Sequence, residues 1–432
     1  MTTATPPFAI TLPADRQQRL QLIRSLFSSH AGDDLTQAWP GGRAEGLRRL
    51  AQMQPLAYGK NRNFLDGQVT RLSPYLRHGC VNLGEAIQAT KRLASSGADK
   101  LLFEFAWRDY WRKVWYANGH AIASEMEPEK VRLRRLAVSD DVQTAATGLP
   151  CMDHFVQTLK QSGYLHNHAR MWLASYMVHL RKVHWRVAAD WMYSHLLDGD
   201  IASNYLSWQW VAATGSSKPY LFNADTVEKF APEIWHSRAT SIDVSYELME
   251  ILATSQATVA QVRKNELAWD EPAVFSEPPA ELGFTKPVAT DVLGKHVWLV
   301  HPWVLANLPT DLPADVVCVA VVFAEHAQSH PWNALRWRFV GERMAVLTQH
   351  RWFASAQEVL QALAGAQSVH TVAHLCLPDL AEGNVQLRPA PRLFRHIEKP
   401  MDSFSKWWVQ VNKNVRHLQQ LVYPLPTRTP PP

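Results

Sequence analysis

The residues of this chain best suited to chemistry fall in one window, from Tyr58 to Pro232. In the stretch FEFAWRDYW, Glu104, Trp107, Arg108 and Trp111 recur at i, i+3, i+4 and i+7, so on a helix they share one face. A carboxylate, a guanidinium and two indoles make a poor core stripe. They suit a pocket where a planar group stacks on indole while the carboxylate takes hydrogen bonds. A surface Glu104–Arg108 pair over inward-packed tryptophans accounts for the same spacing. In GYLHNHARM, Asn167, Arg170 and Met171 again share a face. DGDIASN then sets Asp198 and Asp200 around a glycine, ahead of Asn204, Trp208 and Trp210. Two acids around a glycine can chelate a hard cation, but Ile201 and Ala202 supply none of the further oxygens a calcium loop needs. Pairing with Arg170 and with the N–H edge of a heterocycle is the better use of these acids.

Upstream, YGKNRNFLDGQVTRLSPY runs a polar turn carrying Thr70, Arg71 and Ser73 into a helix. Hydroxyls, backbone N–H groups at a helix entry and a forked guanidinium suit a diphosphate, although T-x-L-S is also an ordinary helix cap. Metal chemistry is not expected. His166, His168, His179 and His184 form no H-E-x-x-H motif, and Cys80, Cys151, Cys318 and Cys376 are scattered without a C-x-x-C pair. Buried thiols acting as small hydrophobes are the reading of those cysteines.

The elements that must hold these residues are helices first and strands afterwards. Apolar positions at three- and four-residue spacing (Leu20, Ile23, Phe27; Leu83, Ile87) predict helices from Pro13 to Leu93. Further helices are predicted from Lys100 to Trp115, densely from Met152 to Trp210, and over Ala239 to Lys264. Residues 265–290 are rich in Pro and Glu and read as a linker. The apolar runs His296 to Pro302 and Val316 to Ala324 then look like buried parallel strands. Helical patterns follow at Trp332 to Leu347 and Ala354 to Ala364, and another strand at Val369 to Leu375. Strands alternating with helices predict an α/β layer. The fold class expected is a mainly α helical domain plus a small C-terminal α/β (Rossmann-like, parallel sheet) domain. Its boundaries fall at 1–235, a helix and linker at 236–290, the α/β domain at 291–415 and a Pro-rich tail at 416–432.

Composition sets outer limits. Forty-seven per cent hydrophobic and 19% charged residues describe a globular chain, and no apolar run approaches a membrane span. The opening MTTATPPFAI lacks a basic stretch followed by an apolar core, so no signal peptide and a cytoplasmic location are expected. A net charge of +5 permits a phosphate-bearing partner without demanding one.

Taken together and in this order, TRLSPYL at 70–76, the E-x-x-W-R pattern at 104–108, TGLPCMD at 147–153, the G-x-x-H-N-x-x-R-M pattern at 163–171, DGDIASN at 198–204, WQWVAATG at 208–215, PYLFN at 219–223 and EKFAP at 228–232 resemble the FAD-binding helical domain of photolyases and cryptochromes. The resemblance implies FAD as cofactor, with Thr70, Arg71, Leu72 and Ser73 on its phosphates and Tyr58 on the adenosine side. It implies Arg170 paired with Asp198 beside the isoalloxazine, Asp198 and Asp200 on the flavin edge and ribose, and Asn204 opposite flavin N5. Glu104, Trp107, Asn167, Met171 and Trp210 match residues surrounding a flipped cyclobutane pyrimidine dimer, with Arg108 beside them; Arg62 matches one that grips DNA phosphate. The implied activity is that of a photolyase-like lyase on DNA. A blue-light receptor without repair is the alternative.

Departures from the pattern are as informative. Trp208 and Trp185 match the first two positions of the family's electron-conducting tryptophans, but no Trp lies between 116 and 171, where the third falls. Trp191, Trp172 or Trp115 is expected to complete the wire, failing which photoreduction is impaired. His168 stands where Arg is usual, and Asn167 rather than His argues against repair of (6–4) photoproducts. The family's α/β domain usually precedes the helical one, whereas here HVWLVHPWVLANLP through SFSKWWVQVNK is similar to a shrunken version of it placed afterwards. A circular permutation is inferred, with the antenna chromophore and the oligomeric state left open.

Overall fold

The computed structural model describes residues 39–413, apart from 95, 130–134, 257–272, 381–382, 392–393, 395–396 and 398–402. The helices predicted before residue 39, the last part of the helix predicted over Ala239 to Lys264, part of the linker and the Pro-rich tail lie outside the described residues.

Helices come first, as the periodicity requires. They are α1 (Arg43–Ala51), α2 (Pro55–Asn61), α3 (Ser73–Arg77), α4 (Leu83–Leu93), α5 (Asp99–Asn118), α6 (Asp140–Gln143), α7 (Pro150–Ser162), α8 (Asn167–Ser175), α9 (Trp185–His195), α10 (Ile201–Ala212), α11 (Ala224–Phe230) and α12 (Tyr246–Thr254). Local chemistry sets their starts. Asn82 and Glu85 form a capping box on α4, and the Asp200 carboxylate accepts the Ser203 N–H at the head of α10. The predicted dense block from Met152 to Trp210 is α7 to α10, with α8 running on through a π turn at Tyr176–Leu180.

The strands follow. β1 (Val274–Phe275) pairs antiparallel with β4 (Trp332–Asn333), so part of the predicted linker is tied down. The main sheet is parallel, in the order β5 (His350–Ala354), β3 (Val317–Phe323), β2 (His296–Val300), β6 (Ser368–Val372), β7 (Val385–Arg388). Counted along the chain this is 3-2-1-4-5, the doubly wound Rossmann-type order without its sixth strand. Its connections carry α13 (Ala324–Ser329), α14 (Ala334–Leu347) and α15 (Ala356–Leu363). Side-chain alternation covers both faces: Val297, Leu299, Val319 and Val321 pack in one apolar cluster, while Trp298, Val300, Ala320 and Val322 join the main core. A last helix, α16 (Phe404–Val411), returns to the helical part. The fold is therefore mainly helical, with a small parallel α/β layer after it, as expected.

The carboxyl ends of β2 and β6, where the strand order reverses, face α3 and the loop before α10. Two glycines permit this docking. A side chain at Gly79, whose φ is +63°, would meet the Trp303 carbonyl oxygen at 2.5 Å, and one at Gly199 would meet Arg336 Nη1 at 2.5 Å. His78 places its ring nitrogens against the carbonyls of Pro302 and Leu197 at 2.6 and 2.8 Å. Arg336 is fully buried. It donates to the Gly199 carbonyl at 2.9 Å and stacks over Trp332 and Tyr193.

Candidate functional site

The Arg170–Asp198 pair expected from the resemblance forms. Arg170 Nη2 lies 2.9 Å from Asp198 Oδ2, and Nε donates to the Leu165 carbonyl at 2.8 Å. The other oxygen, Asp198 Oδ1, is buried with no hydrogen-bond partner. A ladder of rings and guanidinium groups connects this pair to the turn at Thr70–Ser73. Arg170 lies over Tyr164 (5.6 Å), Tyr164 against Trp39 (4.8 Å), and Trp39 beneath Arg49 (4.2 Å), whose Nη1 donates to the Arg71 carbonyl at 3.3 Å. Arg71 itself adopts φ +49°, a left-handed conformation costing about 1–2 kcal/mol in a non-glycine residue. Leu72 is buried, while Thr70, Arg71 and Ser73 are half-buried around the start of α3. Such strain typically persists where surrounding structure imposes it, as at ligand-binding turns.

Asp200 is held differently from Asp198. Its carboxylate lies 3.1 Å from Arg77 and 3.8 Å from Arg108, and accepts the Ser203 N–H at 2.8 Å. Burial opposes the charge, but Arg77, then Arg108 and the Ser203 amide, hold this carboxyl well below the usual carboxylate range. Arg77 reaches further, with Nε to the Gly199 carbonyl (2.7 Å) and Nη1 3.3 Å from His374 Nε2 in the α/β part. A narrow cleft beside Asp200 is lined by Arg112, Trp115, Tyr116, His374 and Leu375. Arg108, read from helical spacing as a neighbour of the lesion site, thus points to the acid expected at the cofactor.

On the adjoining face of α5, Glu104 lies 3.1 Å from Arg62 and 3.0 Å from Lys100. Tyr58 is beside them, its phenol pushed up by burial, with Glu104 adding to the effect. The turn after Arg62 is joined to α8 through the Asn63 carbonyl, 2.6 Å from His168 Nδ1. Asn167 Nδ2 lies 3.7 Å from the Met171 sulfur, at the exposed start of that helix. Arg62, Glu104, Asn167 and Met171 are therefore gathered from three segments. Trp107 is gathered too, but its ring is stacked on Phe404 of α16 at 3.8 Å and 10°. Trp210 remains 37% exposed beside Tyr220.

Asn204, the residue expected opposite flavin N5, is nearly buried and tied at both ends. Nδ2 donates to the Ala189 carbonyl at 2.8 Å and Oδ1 accepts the Trp208 indole N–H at 3.2 Å. Trp185, fully buried, donates its indole N–H to Glu125 at 3.0 Å. The rings against Trp185 are those of His184 (6.0 Å) and Tyr205 (6.1 Å). Trp191, Trp172 and Trp115, considered for a third position, have their ring contacts elsewhere, with His195, with Phe222 and with His374 respectively. Glu125, Glu129 and His184 bring ligand atoms within 4.8 Å of one another, though His184 Nε2 is already 3.1 Å from Glu125. Sequence reasoning missed Trp39, Arg49, Arg77, Glu125, Tyr164 and Phe404. Arg77, the next residue after TRLSPYL, and Tyr164, inside GYLHNHARM, stood at or within quoted motifs without being singled out.

Residues 101–236 match the protein-family model described as the FAD binding domain of DNA photolyase. The chain is 30% identical over 236 residues to a deoxyribodipyrimidine photo-lyase of Streptomyces griseus, covering 50% of this chain and 49% of that protein. It is 28% identical over 234 residues to a cryptochrome DASH of Gloeobacter violaceus, covering 49% and 45%. A solved archaeal photolyase from Sulfolobus tokodaii is 26% identical, with a TM-score of 0.40 and coverage of 51% and 52%. The chain thus spans about half the length of the curated relatives it matches. The matched segment is similar to the FAD-binding domain of photolyases and cryptochromes.

The residues present fit that cofactor. Asp198 Oδ1 is a buried acceptor in need of a donor, which the N–H edge of a flavin provides. Asp200, kept ionised by Arg77 and Arg108, offers a second carboxylate acceptor for the ring and ribose of the cofactor.

Proposed function

We propose that this protein is an FAD-dependent, blue-light-driven DNA-repair lyase acting on cyclobutane pyrimidine dimers. The observation that carries the reading is the convergence of Arg62, Glu104, Asn167 and Met171 beside Trp107, within the FAD-binding domain. FAD, when bound and reduced, supplies the light absorption and the electron that splits the dimer. The chain's own residues take the remaining tasks. Arg62 grips a phosphate next to the lesion, and Trp107 and Trp210 offer aromatic faces to bases that have left the stack. Glu104, oriented by Arg62 and Lys100, hydrogen-bonds the edge of the flipped base and stabilises charge as it develops there. Thr70, Arg71, Leu72, Ser73 and Tyr58 hold the phosphate and adenosine side of the cofactor. Arg170, Asp198, Asp200 and Asn204 hold the ring, and Trp208 and Trp185 refill it with electrons. No covalent nucleophile is required.

The chain order fits a circular permutation of the family's architecture. A doubly wound 3-2-1-4-5 sheet follows the helical part and docks on it through the carboxyl ends of its central strands. The proposed setting is cytoplasmic; among the described residues no helix is long and apolar enough to cross a membrane. One observation favours the second reading, a cryptochrome-like receptor without repair: Phe404 occupies the Trp107 face on which a base would stack. The two readings separate in one experiment. The reduced, FAD-loaded protein is illuminated without oxygen in the presence of dimer-containing single-stranded DNA, and restored thymines are counted. Restoration that falls in Glu104→Ala while FAD stays bound supports repair. A yellow protein restoring none leaves the receptor.

A further inference from the structure

Trp185 has no access to solvent, and its single hydrogen-bonding group ends on a carboxylate. The indole N–H donates to Glu125 Oε1 at 3.0 Å, and His184 Nε2 meets the same oxygen at 3.1 Å. A third of the Glu125 side chain is exposed, so this one carboxylate connects the buried ring to water. A neutral acceptor would be enough to satisfy the N–H of an uncharged indole; a carboxylate binds it more strongly and is in addition a base. The arrangement gains meaning when Trp185 loses an electron. A buried indole radical cation is a charge without hydration, costly in apolar surroundings, and its N–H has become a far stronger acid than that of indole.

We propose that Glu125 is the proton acceptor for oxidised Trp185, and that it returns the proton directly to solvent while His184 Nε2–H holds it in place. The inference rests on the reading of Trp208 and Trp185 as the route by which electrons reach the cofactor. Trp185 is oxidised by one electron, which passes by way of Trp208 to photoexcited oxidised flavin, the group reduced. The Nε1–H bond of Trp185 breaks and an O–H bond forms on Glu125 Oε1. What remains is a neutral indolyl radical beside a neutral carboxylic acid, in place of a radical cation beside a carboxylate. Glu125, a third of whose side chain is exposed, then releases the proton to water, restoring the carboxylate.

The state of Glu125 suits this task. Burial works to raise its pKa, but its own backbone amide, the Trp185 N–H and His184 together hold it below the ordinary glutamate value, so it starts ionised. Glu129, 3.9 Å from His184, carries a carboxyl raised chiefly by burial. The proposal also gives the wire a physical end without a third tryptophan. Once the proton has gone, returning the electron requires returning the proton too, and this delays recombination. It accounts for Glu125, Glu129 and His184 as a cluster without assigning them a metal.

Two measurements test it. In the FAD-free protein, the indole N–H resonance of Trp185 should be shifted by its ionic hydrogen bond and protected from exchange. Glu125→Gln should remove most of the shift while leaving the fold intact. In the FAD-loaded protein, transient absorption after a flash distinguishes the indole radical cation from the neutral indolyl radical. The wild type should pass from the first to the second with a solvent deuterium isotope effect. Glu125→Gln should slow that passage roughly 100-fold, the lower end of what a positioned base contributes, and Glu125→Asp should recover part of it. Equal passage rates in wild type and Glu125→Gln overturn the inference while leaving the electron route intact. A transient that survives unchanged in Trp185→Phe overturns the route itself, and the inference with it.

Discussion

Replacing Asp200 by Asn tests whether this acid serves the fold, the cofactor or both. The substitution preserves shape and leaves an oxygen to accept the Ser203 N–H, so the cap of α10 survives. What goes is the negative charge between Arg77, whose side chain is 1% exposed, and Arg108. Removing one partner of a buried pair costs about 3–5 kcal/mol, because the charge left behind stays desolvated and uncompensated. Set against a typical total of about 5–15 kcal/mol, that is a large fraction of folding stability. The pH dependence has a definite sign. The folded-state pKa of Asp200 is depressed, so its contribution is complete above the unfolded carboxyl value of about 3.9 and lost as pH falls through the lower folded value. The stability gap between wild type and Asp200→Asn should therefore be constant from neutral pH down to about 5 and shrink in stronger acid. The assay is urea unfolding of FAD-free protein, where no ligand linkage enters, repeated with FAD. A gap under about 1 kcal/mol without FAD, opening only when FAD is added, would refute the structural reasoning and assign Asp200 to the cofactor alone.

Other substitutions probe neighbouring features. Asp198→Asn keeps the shape but loses a charge-assisted acceptor, worth about 1.5–3 kcal/mol, so FAD affinity measured by flavin fluorescence should fall roughly 10- to 150-fold. Phe404→Ala removes the ring stacked on Trp107; at about 0.5–1.5 kcal/mol for such a pair, affinity for dimer-containing single-stranded DNA should rise roughly 2- to 13-fold in a binding titration, and unchanged affinity would mean that Trp107 is not the platform. Gly199→Ala puts a methyl 2.5 Å from Arg336 Nη1 and 3.0 Å from the Tyr193 carbonyl, and should lower the unfolding midpoint by displacing that guanidinium from its carbonyl partner.

What could be read from the sequence follows the range of the forces involved. β2 and β3 were legible as nearly continuous apolar runs, and β6 from β-branched residues alternating with polar ones. β5, HRWFA, and β7, VQLR, were missed because edge positions tolerate His350, Arg351, Gln386 and Arg388 and so break the run. The Arg170–Asp198 pair was legible from opposite charges in ordered motifs. Arg108 shows the limit of periodicity. Helical spacing assigned it to one face with Glu104 and Trp107, yet cannot say what lies across that face, and what lies across is Asp200. Phe404 and Glu125 are beyond such reasoning altogether. One stacks on Trp107 from almost three hundred residues away, and the other meets Trp185 across sixty positions that no local period relates.

The same long-range contacts explain why the order of the parts along the chain matters so little to the site. His78 meets Pro302, Arg336 meets Gly199 and Asn333 meets the His195 carbonyl at separations above a hundred residues. The surfaces that join are specified by clearance at Gly79 and Gly199 and by buried guanidinium groups, not by a short tether. Loop-closure entropy grows only logarithmically with length, so moving the sheet from one side of the helices to the other costs little once such a surface exists. Its consequence is local. The segment after the sheet now returns to α5 as α16, and Phe404 takes the face of Trp107. The cofactor side, from Thr70 to Asp198, is held by contacts of its own, while Phe404 governs access to the aromatic platform beside it.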